Sequence, residues 1–520
     1  MKPLSTEDAF FLYSETEHQH QHTLGLLILD PSTARNPKLV TPRKLADKLK
    51  QDIGVLPEFR QKLAKLPITL ASPVLVDDPD YNFEDHIQFK TLRSPGNLRQ
   101  LSAVVGRFAS QPLEKGRPLW ENLFIDGLEG GMIAVCTKSH HLIGDGVQGA
   151  EFMAQQFDSE PHPSKAKRSM KTTWTPRQQS YVDILGASWS KHRQDKPGFR
   201  TMFDKTLNTL RSRRTLLQKK KSLQDMVTPL IPTAPKLKFN GSITGNRTIA
   251  LGTLRMDTLK TIKNHHDVTI NDVVLTACTL ALRDYLVETN DLPDEPVVCA
   301  VPVSLKMKGQ DAGGGNAVGS MIVKLPVQIG DPVKCLKAVH DYTGAAKEMF
   351  DATFENLMLG FVGLLPPSLA NTAMKTLYNN RLSDLLPPPM NLVVSNFPGP
   401  RTPLYMEGAE LQRTYPIGPI TAGSGLNMTF MSQMDHMNFS VQTCREKLPE
   451  AWDLADGIME WIGTLEERSH AAARSSVVRK PARKKARAKI KAPMRKMAPI
   501  KQKTIGKRNP THKNAVHNKD

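Results

Sequence analysis

His140 and His141 stand side by side, followed by Leu142-Ile143-Gly144 and then by Asp145-Gly146. They come directly after an apolar run, Met132 to Thr137, which follows Gly130-Gly131 and reads as a buried strand. An imidazole placed where a strand gives way to a loop can face a cavity. With a pKa near neutrality, it can take a proton from an alcohol and return it to a leaving group. His141 is therefore the candidate general base. His140, Asp145 and Gly146 are candidates for shaping the motif: the Asp145 carboxylate can pin the loop, and Gly146 permits a backbone angle that a side chain would forbid. A lone histidine pair is more often structural than catalytic, but the full spacing HHxxxDG arises by chance in only roughly one chain per several hundred. Adjacent histidines could also bind zinc. No nearby Cys, His or Glu completes a usual ligand set, so no metal is expected. No serine or cysteine nucleophile is apparent either, since Gly423-Ser424-Gly425 lacks the GxSxG frame.

The elements that must carry these residues alternate between strand-like and helix-like stretches. Leu24 to Leu29 reads as a buried strand. The spacing predicts a helix over Asn271 to Val287, with Asn271 or Asp272 placed to cap it, and another over Pro332 to Met349. Val297 to Val303 and Asn391 to Asn396 read as strands, the second ended by Pro398-Gly399-Pro400. Leu426 to Met431 and Phe439 to Cys444 are expected to pair as a hairpin. Both halves of the chain are mixed, so the expected fold class is α/β (α+β). At 520 residues more than one core is needed. The expected division is residues 1–160, a basic linker with helices at 161–235, residues 236–468, and a tail at 469–520. The linker assignment rests on Lys219-Lys220-Lys221 and on Pro229, Pro232 and Pro235.

The net charge of +19 suggests nucleic acid until it is located. Ala471 to Asp520 holds 17 Lys or Arg and one acid, a net +16, which leaves the body near +3. That tail has few large apolar side chains to offset chain entropy and is expected to be disordered, with anionic lipid headgroups, a granule surface or nucleic acid as candidate partners and a solvated, nonspecific polycation as the equal alternative. The five cysteines, Cys136, Cys278, Cys299, Cys335 and Cys444, form no CxxC pair and suggest a reducing compartment, the cytoplasm. Met1 to Tyr13 lacks the pattern of a signal peptide. No uncharged run reaches transmembrane length. Phe354 to Leu369 is apolar around Pro366-Pro367 and reads either as a core helix and turn or as a lipid contact.

The ordered motifs resemble those of the bacterial wax ester synthase/diacylglycerol acyltransferase family, within the CoA-dependent acyltransferase superfamily. The resemblance is carried by HHxxxDG, the preceding Pro118-Leu119-Trp120, Asn271-Asp272-Val273-Val274-Leu275, Val301 to Leu305, Gly315-Asn316, Asn391 to Pro400 and Cys444-Arg445. Phe397 stands where the family more often has Val. The resemblance covers about residues 4 to 466 and leaves out the tail.

It implies two chloramphenicol-acetyltransferase-like domains with a tunnel at their interface. It implies acyl-CoA as co-substrate with no bound cofactor, and a fatty alcohol or diacylglycerol as acceptor. Peripheral attachment to the inner membrane or to lipid inclusions goes with water-insoluble substrates. It carries the base onto His141, makes Asp145 and Asp272 structural, and makes Asn271 an oxyanion stabiliser. A side-chain amide near a helix N-terminus can serve that purpose, although a plain capping role is the alternative. The rival readings are another HHxxxDG acyltransferase or condensation enzyme, and a nonenzymatic lipid- or nucleic-acid-associated protein whose tail is the working part.

Overall fold

The computed structural model describes residues 1–53, 56–65, 72–143, 156–162, 175–195, 233–304, 318–349, 367–381, 384–385 and 387–478. In chain order the elements are β1 (Lys2–Pro3), α1 (Thr6–Ser14), β2 (His22–Asp30), α2 (Pro42–Ile53), β3 (Gln61–Leu63), β4 (Val74–Asp77), β5 (Ile87–Thr91), α3 (Leu98–Ser110), β6 (Trp120–Asp126) and β7 (Ile133–His140). They continue as α4 (Tyr181–Asp195), β8 (Arg247–Arg255), α5 (Met256–His266), α6 (Ile270–Glu288), β9 (Val297–Ser304), β10 (Val318–Leu325), α7 (Pro332–Met349) and α8 (Pro367–Asn379). The last are β11 (Leu392–Pro398), β12 (Tyr405–Met406), β13 (Ala409–Ile417), β14 (Leu426–Gln433), β15 (His436–Cys444) and α9 (Ala451–Val478). The expected α/β class is observed, as are the strands, the two helices and the hairpin read from the sequence.

Two six-stranded mixed sheets dominate. The first has the order β12-β13-β2-β7-β6-β5 and the second β10-β9-β11-β14-β15-β8. A small third sheet joins β1, β4 and β3. The first sheet is covered on both faces, which explains why β2 is a continuous apolar run instead of an alternating one. Leu27 and Leu29 enter one cluster with Leu45 and Leu49 of α2. Leu24, Leu26 and Ile28 enter another with Leu101, Val105 and Phe108 of α3. In β7 the same split puts Ile133 and Val135 on one side and Ala134 and Cys136 on the other.

α3 ties the two sheets together. Its start is secured by a capping box between Asn97 and Gln100. Its inner face packs with Ile249 and Leu251 of β8. The backbones come so close that a Cβ on Gly106 would sit 3.1 Å from the Arg247 carbonyl oxygen. In the second sheet, α6 is buried nearly all round, through Val273, Val274, Leu275, Ala277, Cys278, Leu280 and Leu282. Each buried valine or leucine there contributes roughly 1.5–3 kcal/mol by leaving water.

The chain's halves do not map one to one onto the sheets. After β11 the chain leaves the second sheet, adds β12 and β13 to the edge of the first beside β2, and returns as β14, parallel to β11. A division at residue 160 does not anticipate this exchange. It happens because Leu411, Tyr415 and Ile417 are buried within the first sheet's clusters. The compact unit runs from Met1 to Ala473, and α9 continues through Glu467 to Val478. Of the expected linker, α4 is described, while most of 161–235 and residues 479–520 lie outside the described residues. Among the described residues no helix is long and apolar enough to cross a membrane. Residues 350–366, the larger part of the apolar Phe354 to Leu369 stretch, also fall outside them.

Candidate active site

β7 delivers the histidine pair to the end of the first sheet. His140 is its last residue, paired in register with His22 of β2. The chain then turns away, with the Ile143 N–H donating to the His140 carbonyl at 3.0 Å. Two neighbouring backbones anchor the turn. The His140 N–H donates to the Leu119 carbonyl at 3.0 Å and the His141 N–H to the Gln21 carbonyl at 2.8 Å. The Pro118-Leu119-Trp120 segment thus supports the motif directly. Trp120 is buried, stacks on His86 with ring centroids 4.4 Å apart, and donates its indole N–H to the Phe59 carbonyl at 2.7 Å.

The two histidines have different surroundings. His140 is 1 % exposed. Its Nδ1 accepts the Leu142 N–H at 3.1 Å, and its Nε2 lies 3.8 Å from a Glu15 carboxylate oxygen. His141 is only partly buried, and its ring stacks on Phe11 of α1 with centroids 4.0 Å apart and planes 16° off parallel. The strand-end placement inferred from the sequence is therefore present, and it is His141 that keeps some access. Asp145 and Gly146 lie outside the described residues.

Several residues that build this corner belong to none of the sequence motifs. Lys138, two positions before His140, is fully buried. Its ammonium lies 3.0 Å from Glu121, donates to the Phe108 and Gln111 carbonyls at 3.1 and 3.0 Å, and sits 4.2 Å from the Phe108 ring centroid. A cation is thereby set on the C-terminal end of α3, where the helix dipole favours it. Burial pulls its pKa below the usual lysine value. His22 is 2 % exposed, with its ring centroid 6.4 Å from that of His140; burial pushes its imidazole well below the ordinary value. The alternation His18-Gln-His20-Gln-His22 is the signal that would have drawn attention to it.

The loop between α1 and β2 is locked in turn. Gln19 donates to the Ser14 carbonyl at 2.6 Å and accepts the Ala422 N–H at 2.6 Å. Arg247 of β8, also buried, donates to the His18 carbonyl at 2.8 Å, and burial lowers its pKa to about 10.

The second motif opens α6, but its cap differs from the expectation. Thr269, not Asn271 or Asp272, is the N-cap. Its hydroxyl accepts the Asp272 N–H at 3.2 Å while the Asp272 carboxylate accepts the Thr269 N–H at 2.9 Å. Thr269 wins because the helix starts one residue earlier than its apolar pattern suggests. Asp272, fully buried, also accepts from Thr343 at 2.6 Å and from His340 at 2.9 Å, which fastens α7 to α6. Burial alone would raise its pKa; the hydrogen bonds from His340, Thr343 and Thr269 more than offset this and hold the carboxyl below its usual range. Asn271 is partly buried, and its side chain makes no hydrogen bond among the described residues. Nor does any hydrogen bond join it to the histidine pair there.

Asn391, at the head of the Asn391 to Pro400 segment, is a structural pin. It accepts the Val298 N–H at 2.8 Å and donates to the Pro235 carbonyl and to Asn240, at 2.6 and 2.7 Å.

The cysteines are poorly placed for a covalent thiol route. All five cysteines are buried, and burial pushes Cys136, Cys299 and Cys335 up to about 12 and Cys278 well above its usual value. Among the described residues no three His, Cys, Asp or Glu come together in a way that could hold a metal ion.

The whole architecture is shared with a trichothecene 15-O-acetyltransferase from Fusarium sporotrichioides, at a TM-score of 0.52 and 14% identity over 89% of this chain and 94% of that one. A wax ester synthase/diacylglycerol acyltransferase from Marinobacter aquaeolei VT8 superposes with a TM-score of 0.64 at 27% identity, covering 90% of this chain and 100% of the other. The fold is that of an acyltransferase with two chloramphenicol-acetyltransferase-like layers. Residues 4–274 match the wax ester synthase/diacylglycerol acyltransferase catalytic domain and residues 314–466 the C-terminal domain of the same family. A Mycobacterium tuberculosis protein assigned by name as a diacylglycerol O-acyltransferase is 34% identical over 471 residues, 90% of this chain and 91% of its own. The chain belongs to the wax ester synthase/diacylglycerol acyltransferase family.

Proposed function

We propose that this enzyme moves a long-chain acyl group from acyl-CoA directly to the hydroxyl of diacylglycerol, of a fatty alcohol, or of both. The observation that carries the reading is the state of His141: at a strand end, partly open, held by its backbone and stacked on Phe11. His141 takes the hydroxyl proton as the oxygen attacks the thioester carbonyl. The C–O bond forms, the C–S bond breaks, and the imidazolium returns its proton to the departing thiolate. Asn271 is the candidate donor to the oxyanion, freed for that task because Thr269 supplies the cap. Acyl-CoA and acceptor would meet in a tunnel between the two layers. The names of the relatives, diacylglycerol O-acyltransferase and wax ester synthase, support both acceptors.

The test is an assay of the full chain with palmitoyl-CoA and either hexadecanol or diolein. Ester is expected from at least one acceptor, and their ratio separates wax ester from triacylglycerol synthesis. A folded protein that forms neither ester overturns the reading.

The enzyme is proposed to work in the cytoplasm, on the inner membrane or on a lipid inclusion, where its acceptors partition. The basic tail would hold anionic headgroups or nucleic acid. Truncation should follow Val478, not Arg468, because Ser469 is buried and its hydroxyl bonds His266 at 3.2 Å. The shortened enzyme is expected to keep its activity on detergent-dispersed substrate. Its binding to anionic liposomes or to nucleic acid should weaken, most visibly at low salt, because such contacts are screened over roughly 8–10 Å near physiological ionic strength. Equal binding with and without the tail would leave its charge without a partner.

A further inference from the structure

α1 touches both histidines. Phe11 and Glu15 are four residues apart, so they project from one side of the chain as α1 ends at Ser14 with Glu15 as its C-cap. Phe11 lies on the ring of His141, and Glu15 faces the ring of His140. We infer that Glu15 is a positioning residue for the acyl transfer: it fixes the tautomer of His140 and through it the turn that presents His141. This rests on His141 being the base.

The chemistry follows from one hydrogen bond. The Leu142 N–H can only donate, so the His140 Nδ1 that meets it at 3.1 Å must be an unprotonated acceptor. The ring proton of neutral His140 therefore sits on Nε2, the side that faces the Glu15 carboxylate at 3.8 Å. That separation is longer than a hydrogen bond but short for a charge in a site where both side chains are buried, at 1 % and 3 % exposure. In the other tautomer, or in the imidazolium, an N–H on Nδ1 would confront the Leu142 N–H. Two donors would then face each other inside the turn that carries His141.

The remaining charges support this arrangement. Lys115, half exposed, lies 2.7 Å from the same carboxylate. Burial would raise the Glu15 pKa, but the facing Nε2–H of His140 and the Lys115 ammonium more than offset it and hold the carboxyl below its usual range. Among the described residues, the titratable groups at this corner include His22, which burial pushes well below its ordinary value, and the buried Lys138, already paired with Glu121.

Glu15→Gln retains an acceptor oxygen in the same volume, whereas Glu15→Leu removes it. Expected for Glu15→Leu is a fall in kcat of about tenfold to a hundredfold with KM for acyl-CoA within about twofold, because a misplaced base costs rate and not ground-state binding. Glu15→Gln, which keeps an acceptor oxygen but not the charge, should recover part of the rate. Selective ¹⁵N labelling of histidine reads the tautomer independently of activity: His140 should be Nε2-protonated in the wild type and mixed in Glu15→Leu. Melting curves confirm that each variant is folded. The inference is overturned by a wild-type Nδ1–H tautomer, by a Glu15→Leu enzyme within about twofold of wild type, or by equal losses in both variants with the tautomer unchanged. A wild type that transfers no acyl group would instead fail the proposed function and leave the tautomer result standing.

Discussion

Removing the imidazole of His141, by His141→Ala, is expected to lower turnover by about a hundredfold to ten-thousandfold, the usual effect of losing a general base. Fold should survive. The anchoring contact of this residue is its backbone N–H to the Gln21 carbonyl, which alanine keeps, and its ring is only partly buried. The substitution removes the stack on Phe11. The neighbouring substitution, His140→Ala, should behave differently. It empties a buried site and orphans the Leu142 N–H, so its effect should appear first as lower stability and only then as lower rate. Steady-state kinetics on purified protein, paired with a melting curve, separates the two. A folded His141→Ala enzyme turning over near the wild-type rate would remove His141 from the mechanism.

The largest expected effect on stability falls on Asp272. One carboxylate there closes the capping box of α6 and accepts from Thr343 and His340 of α7. Asp272→Ala deletes the acceptor and leaves the Thr343 hydroxyl and the Thr269 N–H without it, at a combined loss of about 3 kcal/mol or more. Denaturant midpoints measure it. Asp272→Asn should lose less, since an acceptor oxygen remains.

The pH dependence follows from the direction of the shift. The folded carboxyl lies below its usual value, so its contribution is complete above the unfolded pKa of about 3.9 and fades as pH falls through the folded value. The stability gap between wild type and Asp272→Asn should therefore be widest near neutrality and should shrink in acid. A gap that does not vary from pH 7 down to about pH 3 would mean that the charge of Asp272 contributes nothing. Asn271 sits one residue away on the same helical turn, so the alanine variant should also lose activity beyond what unfolding explains.

Much of this protein was legible in its sequence. Apolar runs set the strands Leu24 to Leu29 and Met132 to Thr137, and a helical apolar pattern set the helix that spans Ile270–Glu288, because burial periodicity is a local property of the chain. The spacing of HHxxxDG after a strand marked the corner proposed to react, because the identity of an imidazole and its place at a strand end suffice to suggest proton transfer.

What the tertiary structure decided is everything that depends on residues far apart. Nothing in Ala409–Ile417 reveals that it joins the sheet of β2 and not that of β11, since period-two alternation specifies a strand but no partner. Lys138 and Glu15 belong to no motif of the sequence, and only the packing of α3 and α1 over the end of β7 buries them beside His140. Thr269 took the cap from Asn271 because helix ends are set by which side chain reaches the free N–H groups. Composition and spacing fix which groups are available for chemistry. Which of them face one another, and in what protonation state, follows from how the two sheets close around them.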